Sequence, residues 1–227
     1  MEIQPIGTIH TAFTEKFGIP RQSMVVKAAK GVIHFEPPYD QAEYFKGIEQ
    51  FSHLWILWHF SEQKGRATKA TVRPPRLGGN VRVGVFASRS PYRPNQIAMS
   101  SVQLDAVHTD EQGKVTLEVS GVDMLDGTPI LDVKPYIKTD IHEDAKSAYV
   151  DSVDWTQLDV EISDELLNQI PEYLRDQLIE VLAQDPRPRT QTDVNRMYGM
   201  RFGDFDVHFK VNTGILKVIK ITGHGND

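Results

Sequence analysis

Cysteine is absent from this chain of 227 residues, and its absence excludes several kinds of chemistry together. Without cysteine the protein has no disulfide, no thiolate nucleophile and no thiolate ligand for a metal. The chain also lacks eighteen consecutive apolar residues and a basic start followed by an apolar run, so we expect neither a membrane span nor a signal peptide. A cytoplasmic location fits these absences.

Three common site motifs are missing as well. The chain contains no G-x-G-x-x-G fingerprint, no P-loop and no G-x-S-x-G elbow, so the usual Rossmann route to a nucleotide has no support. His53 and His59 lie at even spacing in an apolar strand, but no Asp or Glu flanks them within it. Core or interface histidines are therefore favoured over metal ligands, and we expect no metal.

The acidic charge of the chain is unevenly distributed. A net charge of −6 by itself argues against a nucleic-acid partner. Residues 64–104, however, hold eight basic side chains and no Asp or Glu, and residues 187–220 hold seven basic side chains against three Asp. Eight acidic residues fall between positions 159 and 185, where Arg175 is the one basic residue. The sequence therefore predicts positive faces on an acidic body.

The first two thirds of the chain consist of short segments separated by Gly, Pro and Asp turns. Such a pattern predicts a mostly β protein with a barrel or a sandwich. Strands are expected at residues 3–10, 30–35, 51–60, 82–87, 101–108, 114–121 and 130–136. Residues 53–60 are almost wholly apolar, which predicts a central strand that is buried on both faces.

After Trp155 the pattern changes to that of a small α+β domain. Two helices are expected at residues 164–169 and 172–184, with Ser163 as an N-cap. The second helix is expected to place Tyr173, Leu174, Leu178, Val181 and Leu182 on one side. A three-stranded meander is expected at residues 197–202, 204–211 and 215–222. We therefore predict one domain at residues 1–155 and a second at residues 156–227, docked on the first.

Three segments carry side chains suited to a binding site. Residues 71–97 combine stiff prolines, forked arginines, Tyr92 and Asn95, a set that suits a phosphate, a carboxylate or a stacked base. Residues 17–24 and 123–129 add polar groups and turn carboxylates. The alternatives are a solvated basic loop, an ordinary surface loop and a turn. Composition and spacing by themselves predict a mostly β protein that binds anions, and they indicate no reaction.

Six motifs in fixed order resemble the TsaA-like family of S-adenosylmethionine-dependent tRNA methyltransferases, also called TrmO. They are IGTIHTAF, PRQ, FSHLWILWHF, TVRPPRLGGN, GVFASRSPYRPNQIAMS and DMLDGTPILDVKPY, which together span residues 6–136. RMYGMRFGDF, at residues 196–205, resembles the accessory domain of the family. Several long motifs in one order are far more specific than any one of them.

The resemblance implies a fold, a cofactor and a reaction. It implies a single-sheeted β-barrel that works as a homodimer and binds S-adenosylmethionine near the subunit interface. The implied reaction is methylation of N6 of the threonylcarbamoyladenosine that lies 3′ of the anticodon. The implied cofactor-binding residues are Gln22, Ser23, Met24, Ser61, Glu62, Arg89, Ser101, Leu125, Asp126, Gly127 and Thr128. At Ser61, Glu62 and Ser101 the chain departs from the family pattern, so backbone groups are expected to make those contacts.

Catalytic and RNA-binding residues are assigned on the same basis. Asp126 is a conceivable base for the N–H of the acceptor, although a turn carboxylate is the competing interpretation, and Arg93 is expected to hold an anion. The RNA-binding residues are expected to be Arg73, Arg76, Tyr92, Arg93, Arg196, Arg201 and Lys210. The charge split further predicts that residues 156–227 bind tRNA, and that losing them leaves cofactor affinity nearly unchanged. The alternatives are a non-catalytic RNA-binding barrel and a small-molecule methyltransferase.

Overall fold

The barrel is the main element of the structure. The computed structural model describes residues 2–63, 65, 67–74, 81–151, 156–188 and 193–223. Its first eight strands are β1 (Gly7–Thr11), β2 (Lys30–Phe35), β3 (His53–His59), β4 (Thr71–Val72), β5 (Val83–Gly84), β6 (Ile97–Thr109), β7 (Val115–Ser120) and β8 (Thr128–Pro135). Six of them close a barrel in the order β1-β2-β7-β6-β3-β8, and every neighbouring pair is antiparallel. The predicted mostly β fold with a single-sheeted barrel is confirmed.

Side chains that alternate along these strands fill the barrel. Ile9, Ile33, Leu54, Leu117 and Ile130 are fully buried, each from a different strand. Because successive residues of a strand point to opposite faces, every second residue of β3 enters this core. Closure leaves the six strands without a free edge.

Two predictions about individual strands are wrong. Strand β3 is buried on one face only, through Leu54, Ile56 and Trp58, while the residues between them are half-buried. Aromatic residues explain the misleading apolar run, because Trp55 on the outer face packs against Tyr136 and donates to Asp140. The strand expected at residues 82–87 is reduced to β5, which pairs with β4 and is followed by a 3₁₀ turn.

Short 3₁₀ segments connect the strands. They occupy Ala42–Phe45, Ile48–Gln50, Ser61–Gln63, Val85–Ala87, Lys138–Asp140 and Ala148–Val150. Within the described ranges, no helix has both the length and the apolar character needed to cross a membrane.

The C-terminal segment forms a four-stranded sheet with two helices. Its elements are β9 (Asp159–Glu161), α1 (Asp164–Leu167), α2 (Glu172–Ala183), β10 (Tyr198–Phe202), β11 (Phe205–Asn212) and β12 (Ile215–Gly223). Ser163 caps α1 as predicted, by accepting a hydrogen bond from Leu166 N. The predicted meander is β10-β11-β12, but β9 adds a fourth strand parallel to β12. On α2, Tyr173 is 73% exposed and does not belong to the apolar side.

The loop between β1 and β2 lies between the barrel and this C-terminal segment. The Phe13 ring meets the Phe202 ring edge-on at 6.0 Å, and both side chains are buried. Gly18, with φ of +94°, lies so close to Met200 that a Cβ atom would fall 2.3 Å from its Sδ. The C-terminal segment therefore packs against the loop that joins β1 to β2.

Helix α2 is joined to the same loop by polar contacts. Glu180 accepts a hydrogen bond from the backbone of Ala28 at 3.0 Å, and Gln177 accepts one from the backbone of Lys30 at 2.9 Å. Because backbone groups near a buried surface need partners, these two side chains stabilise the end of the loop where β2 begins.

Candidate active site

A cavity of about 590 Å³ lies at the end of the barrel where β3 ends and β6 and β8 begin. Four loops complete it. Residues 16 and 19–22 follow β1, residues 60–63 follow β3, residues 88, 89, 91 and 93 follow β5, and residues 123 and 125 follow β7. Its apolar wall includes Ile19, Leu57, Trp58, Phe60, Ile97, Ala98, Met99 and Leu125. Its ionisable residues are Lys16, Arg21, His59, Glu62, Arg89, Arg93 and Asp123. An apolar concavity with a few polar groups is the usual form of a small-molecule site.

Asp123 is the most perturbed carboxylate of the cavity wall. Burial raises its pKa from 3.8 to about 6, against smaller opposing effects of a hydrogen bond from Ser100, one from the backbone of Ser23, and the charge of Arg89. The Ser100 hydroxyl donates to Asp123 Oδ1 at 2.6 Å and accepts from Trp58 Nε1 at 3.0 Å. This chain of donors fixes the direction of the Ser100 hydroxyl and the position of the carboxylate.

The raised pKa of Asp123 lowers the stability of the folded protein at neutral pH. Its carboxyl ionises near pH 3.8 in the unfolded chain but near pH 6 in the fold. The stability that the protonated group contributes is therefore present below about pH 4 and lost as the pH rises through about 6. A buried carboxylate with this effect is a candidate for function.

The loop of residues 22–24 approaches Asp123 through its backbone. Gln22 lines the cavity, Ser23 is buried, and Met24 is not a lining residue and has φ of 65°. Met24 N donates to the carbonyl of Gly121 at 2.8 Å, and a Cβ atom on Gly121 would lie 2.3 Å from Met24 Sδ. Glycine at position 121, with φ of +79°, therefore allows the two loops to touch.

The turn at residues 125–128 divides its side chains between two directions. Leu125 and Thr128 line the cavity, and the Thr128 hydroxyl donates to the carbonyl of Leu125 at 2.7 Å. Asp126 is not a lining residue; its carboxylate accepts from the backbone of Thr11 at 3.0 Å and lies 3.1 Å from His10 Nδ1. The catalytic assignment of Asp126 stays a prediction, and this geometry favours its role as a turn carboxylate.

The remaining proposed cofactor-binding residues are partly brought together. Ser61 and Glu62 line the cavity, and Lys16 lies 3.7 Å from Glu62 Oε2, which joins two of the loops. Ser101 is not a lining residue, because its register places it opposite Trp55, whereas the neighbouring Ser100 is opposite Ile56 and enters the cavity wall. The residue that the family resemblance implies, Ser101, is therefore next to the serine whose hydroxyl lies in the cavity wall, Ser100.

Arg89 and Arg93 have different positions in the basic loop. Arg89 is exposed at the cavity wall and is near enough to Asp123 to affect its pKa. Arg93 donates to the carbonyls of Val85 and Ser88, so its guanidinium braces the loop that precedes Arg89. Tyr92 is half-buried, and Lys69 Nζ lies 4.0 Å from the centre of its ring.

The proposed RNA-binding residues lie on several surfaces. Arg73 is exposed beyond β4, and Arg76 lies outside the described residues. In the C-terminal sheet Arg196 and Arg201 are exposed, Lys210 is half-buried, and Arg201 lies 3.8 Å from Asp206. The aromatic residues of this sheet face inward; Tyr198, Phe202 and Phe209 are buried in its core.

The cavity wall includes residues that the sequence does not predict as site residues, among them Trp58, Gln63, Ser100 and Asp123. The sequence predicts Asp123 only as a turn carboxylate and Trp58 only as part of an apolar strand. Gln63 is 8% exposed, and its Oε1 has no hydrogen-bond partner within the described part of the chain. Strand alternation offered a signal for Ser100, since it shares a face with Val102, but nothing local distinguishes Asp123 from Asp126.

The residues of the cavity suit S-adenosylmethionine in their chemistry. An aromatic and aliphatic wall fits an adenine ring and a methyl group, and carboxylates fit an ammonium or sulfonium. An exposed guanidinium fits the carboxylate of the methionine part. No group of three or more His, Asp or Glu side chains that could hold a metal occurs among the residues described.

Comparison with known proteins identifies both halves of the chain. The model of the tRNA-methyltransferase O N-terminal domain matches residues 8–140, and that of the TrmO C-terminal domain matches residues 155–224. The chain is 40% identical to the tRNA (adenine(37)-N6)-methyltransferase of Escherichia coli, over 97% of each protein. It is 39% identical to a putative S-adenosylmethionine-dependent methyltransferase of Pseudomonas aeruginosa, again over 97% of each.

A solved structure agrees with these matches. The crystal structure of TrmO from Pseudomonas aeruginosa superposes on the chain with a TM-score of 0.79 and 34% sequence identity. The superposition covers 98% of both chains, so it includes the barrel and the C-terminal segment.

Proposed function

Because the chain belongs to the tRNA-methyltransferase O family, we propose that it is an S-adenosylmethionine-dependent enzyme that methylates N6 of an adenosine in tRNA. We further propose threonylcarbamoyladenosine, 3′ of the anticodon, as the substrate. The observation that carries the proposal is the cavity at the barrel end, where apolar residues, a buried carboxylate and an exposed arginine converge. A loop-built site of this kind agrees with the missing Rossmann fingerprint.

The protein can accelerate this reaction mainly by positioning its substrates. When bound, S-adenosylmethionine supplies an electrophilic methyl group on a positively charged sulfur. We propose that Gln22, Glu62, Leu125 and Thr128 hold it, together with backbone groups near Ser23, Met24 and Gly127. A fixed in-line approach supplies a large part of the acceleration in such reactions. The described part of the chain offers no metal cluster for this purpose.

The basic loop at the cavity is the proposed entrance for the tRNA. Arg89 and Arg73 present exposed charge there, and Arg93 holds the intervening backbone. Phe86 is 78% exposed, and its ring lies 5.9 Å from the Arg93 guanidinium. An exposed aromatic ring beside arginines suits an unstacked base. We propose that Phe86 has this stacking role, because the Tyr92 ring is already in contact with Lys69.

Transfer of a labelled methyl group tests the proposed function. Bulk tRNA from cells that lack the gene is incubated with the protein and tritiated S-adenosylmethionine, and the labelled nucleoside is then identified by mass spectrometry. We expect one N6-methylated adenosine derivative, formed equally well with and without EDTA. Cofactor binding without transfer to tRNA would indicate a small-molecule methyltransferase, and absence of cofactor binding would indicate a non-catalytic RNA-binding barrel.

The outer face of the C-terminal sheet is a second proposed tRNA contact. Lys210 and Lys217 are neighbours across β11 and β12, and Lys220 pairs with His208 on the same face. We expect Lys210→Ala with Lys220→Ala to weaken tRNA binding and to make the salt dependence of log affinity shallower by about one per lost phosphate contact. Filter binding between low and moderate salt measures both. Lys46→Ala with Lys114→Ala removes the same charge from exposed positions outside the C-terminal sheet and should leave the slope unchanged. Equal slopes in all proteins would contradict this contact.

We also propose a homodimer, as the family resemblance implies. Exposed apolar residues support it, because Met99, Ile137 and Ile141 expose 49%, 47% and 55% of their surface beside the outer face of β3. Exposed apolar residues of this kind suit an interface between two copies of the chain. Sedimentation at assay concentration should show a dimer, and an active monomer would contradict it.

A further inference from the structure

Two carboxylates line the cavity within the described part of the chain, those of Glu62 and Asp123. Their surroundings differ. Glu62 lies 3.7 Å from Lys16, and both side chains are more than half exposed. Asp123 instead accepts hydrogen bonds from the Ser100 hydroxyl and from backbone N–H groups, which carry no charge. A carboxylate that is held by neutral donors in an apolar wall keeps its capacity to accept a proton.

We propose that Asp123, held by Ser100 and Trp58, is the proton acceptor for the N6–H of the target adenosine. This inference rests on the proposed function, since it names the group that completes that reaction. Asp126, the other carboxylate of the same segment, is directed to Thr11 and His10 instead. Placement of the carboxylate in the cavity wall therefore selects Asp123.

The step is balanced in atoms and charge. N6 of the adenosine forms a bond to the methyl carbon, while the electron pair of the methyl–sulfur bond remains on sulfur. The N6 proton passes to the Asp123 carboxylate, which becomes neutral as the positive charge on sulfur disappears. The carboxyl then returns its proton to water through the open mouth of the cavity. Asp123 must be ionised at the start, so the reaction requires a pH above its pKa.

Ser100 acts as a positioning residue. Its hydroxyl accepts from the Trp58 indole, so its proton is directed to Asp123 Oδ1. That hydrogen bond favours the ionised carboxylate and lowers its pKa against the effect of burial. Loss of the Ser100 hydroxyl is therefore expected to raise the pKa of Asp123 above about 6.

Asp123→Asn in the full chain is the first test, with Asp105→Asn as the matched control, because Asp105 also accepts a hydrogen bond from a serine hydroxyl, that of Ser120 at 3.0 Å, and does not line the cavity. At saturating S-adenosylmethionine and tRNA, we expect the single-turnover rate of Asp123→Asn to fall by a factor of roughly 10² or more. Its dissociation constant for S-adenosylmethionine, measured by titration calorimetry, should stay within about threefold of the parent, because the proposed role is in the proton transfer. Asp105→Asn should keep the rate of the parent.

The pH profile separates Asp123 from its ionisable neighbours. The parent rate should rise with pH and level off above an inflection near 6, and Asp123→Asn should lack that inflection. Lys16, Arg21, His59, Glu62, Arg89 and Arg93 are the other ionisable residues of the cavity wall. His59 is the histidine of the cavity wall, so His59→Gln is the control variant, and it should retain the inflection. In Ser100→Ala the inflection should move to higher pH, which a purely structural role of Ser100 would not cause.

Two measurements keep the test independent of activity and of folding. In NMR spectra of the cofactor-free protein, the ¹³C carboxyl signal of Asp123 should titrate near pH 6. The signal is assigned as the one that Asp123→Asn lacks. Thermal unfolding at pH 8 should show Asp123→Asn to be at least as stable as the parent, because the ionised group lowers stability there. If Asp123→Asn does not fold, Asp123→Glu is the second variant. It retains a carboxylate, so we expect a slower rate that still shows a pH inflection.

Several outcomes would overturn the proposal. They are an Asp123→Asn rate within tenfold of the parent, an inflection that Ser100→Ala does not move, or a loss confined to cofactor affinity with the rate at saturation retained. The last would make Asp123 a cofactor-binding residue. If the parent protein transfers no methyl group to tRNA, the proposed function fails as well; if it does and Asp123→Asn matches it, only this inference fails.

Discussion

Phe202→Ala is expected to lower the free energy of unfolding by about 3–5 kcal/mol, the usual cost of removing a fully buried phenylalanine. Phe202 is 0% exposed and packs edge-on against Phe13, so its ring belongs to both the C-terminal sheet and the loop that follows β1. Because one ring joins the two parts, we expect a single unfolding transition in the parent and in the variant. Urea denaturation followed by circular dichroism and by tryptophan fluorescence measures both quantities.

Tyr173→Ala is the matched control for Phe202→Ala. Tyr173 is an aromatic residue of the same C-terminal segment but is 73% exposed, so its removal should change stability by less than about 0.5 kcal/mol. Two separate transitions, with the midpoint of the barrel unchanged by Phe202→Ala, would show that the two parts fold independently.

The packing around Phe202 also bears on cofactor affinity. Loop residues 16 and 19–22 line the cavity, while Gly18 and Phe13 of the same loop rest on Met200 and Phe202. Loss of residues 156–227 should therefore weaken cofactor binding, whereas the sequence predicted nearly unchanged affinity. Point substitutions on the outer face of the sheet are for this reason the better test of tRNA contact.

Arg89→Ala is expected to lower kcat/KM for tRNA methylation by roughly 10- to 150-fold, which corresponds to about 1.5–3 kcal/mol for a hydrogen bond to a charged group. Arg89 is exposed at the cavity wall, where its guanidinium can grip a carboxylate or a phosphate. Its charge also lowers the pKa of Asp123, so its removal should move the pH inflection above about 6. Steady-state rates between pH 5 and 9 measure both effects.

Arg89→Lys and Arg82→Ala are the controls for this prediction. Arg89→Lys keeps the charge but loses the fork, so we expect the pH inflection to stay while most of the rate is lost. Arg82 donates to Thr71 on an exposed strand pair, and Arg82→Ala should affect the rate by less than Arg89→Ala. Equal losses for the two alanine variants would show that general positive charge, and not a directed contact, explains the effect.

The fold class and the family could be predicted because their signals are local. Alternation within β2, β7 and β8 and the turn residues between them are properties of short segments, and each places side chains on known faces. Six motifs in one order, five of them eight residues or longer, identify the family without any knowledge of contacts. The outer face of β3 misled the prediction, because Trp55 is apolar yet rests on Tyr136 at the barrel surface.

The site was only partly predictable. Gln22, Glu62, Arg89, Leu125 and Thr128 line the cavity, whereas Ser101 and Asp126 do not. Strand β9 could not be predicted from the sequence, because it has three residues and its partner β12 lies more than fifty positions away along the chain. Pairing over such a distance leaves no periodic pattern in so short a segment.

The sequence by itself determined that the chain is a mostly β protein of the tRNA-methyltransferase O family, with basic faces on an acidic body. Only the tertiary structure decided which carboxylate enters the cavity. Asp126 is hydrogen-bonded to Thr11, 115 positions away, and Asp123 to Ser100, 23 positions away on β6. Partners so distant in sequence set the direction of each side chain, and the tertiary packing sets the burial that raises the pKa of Asp123. Neither the direction nor the burial can be predicted from the neighbouring residues in the sequence.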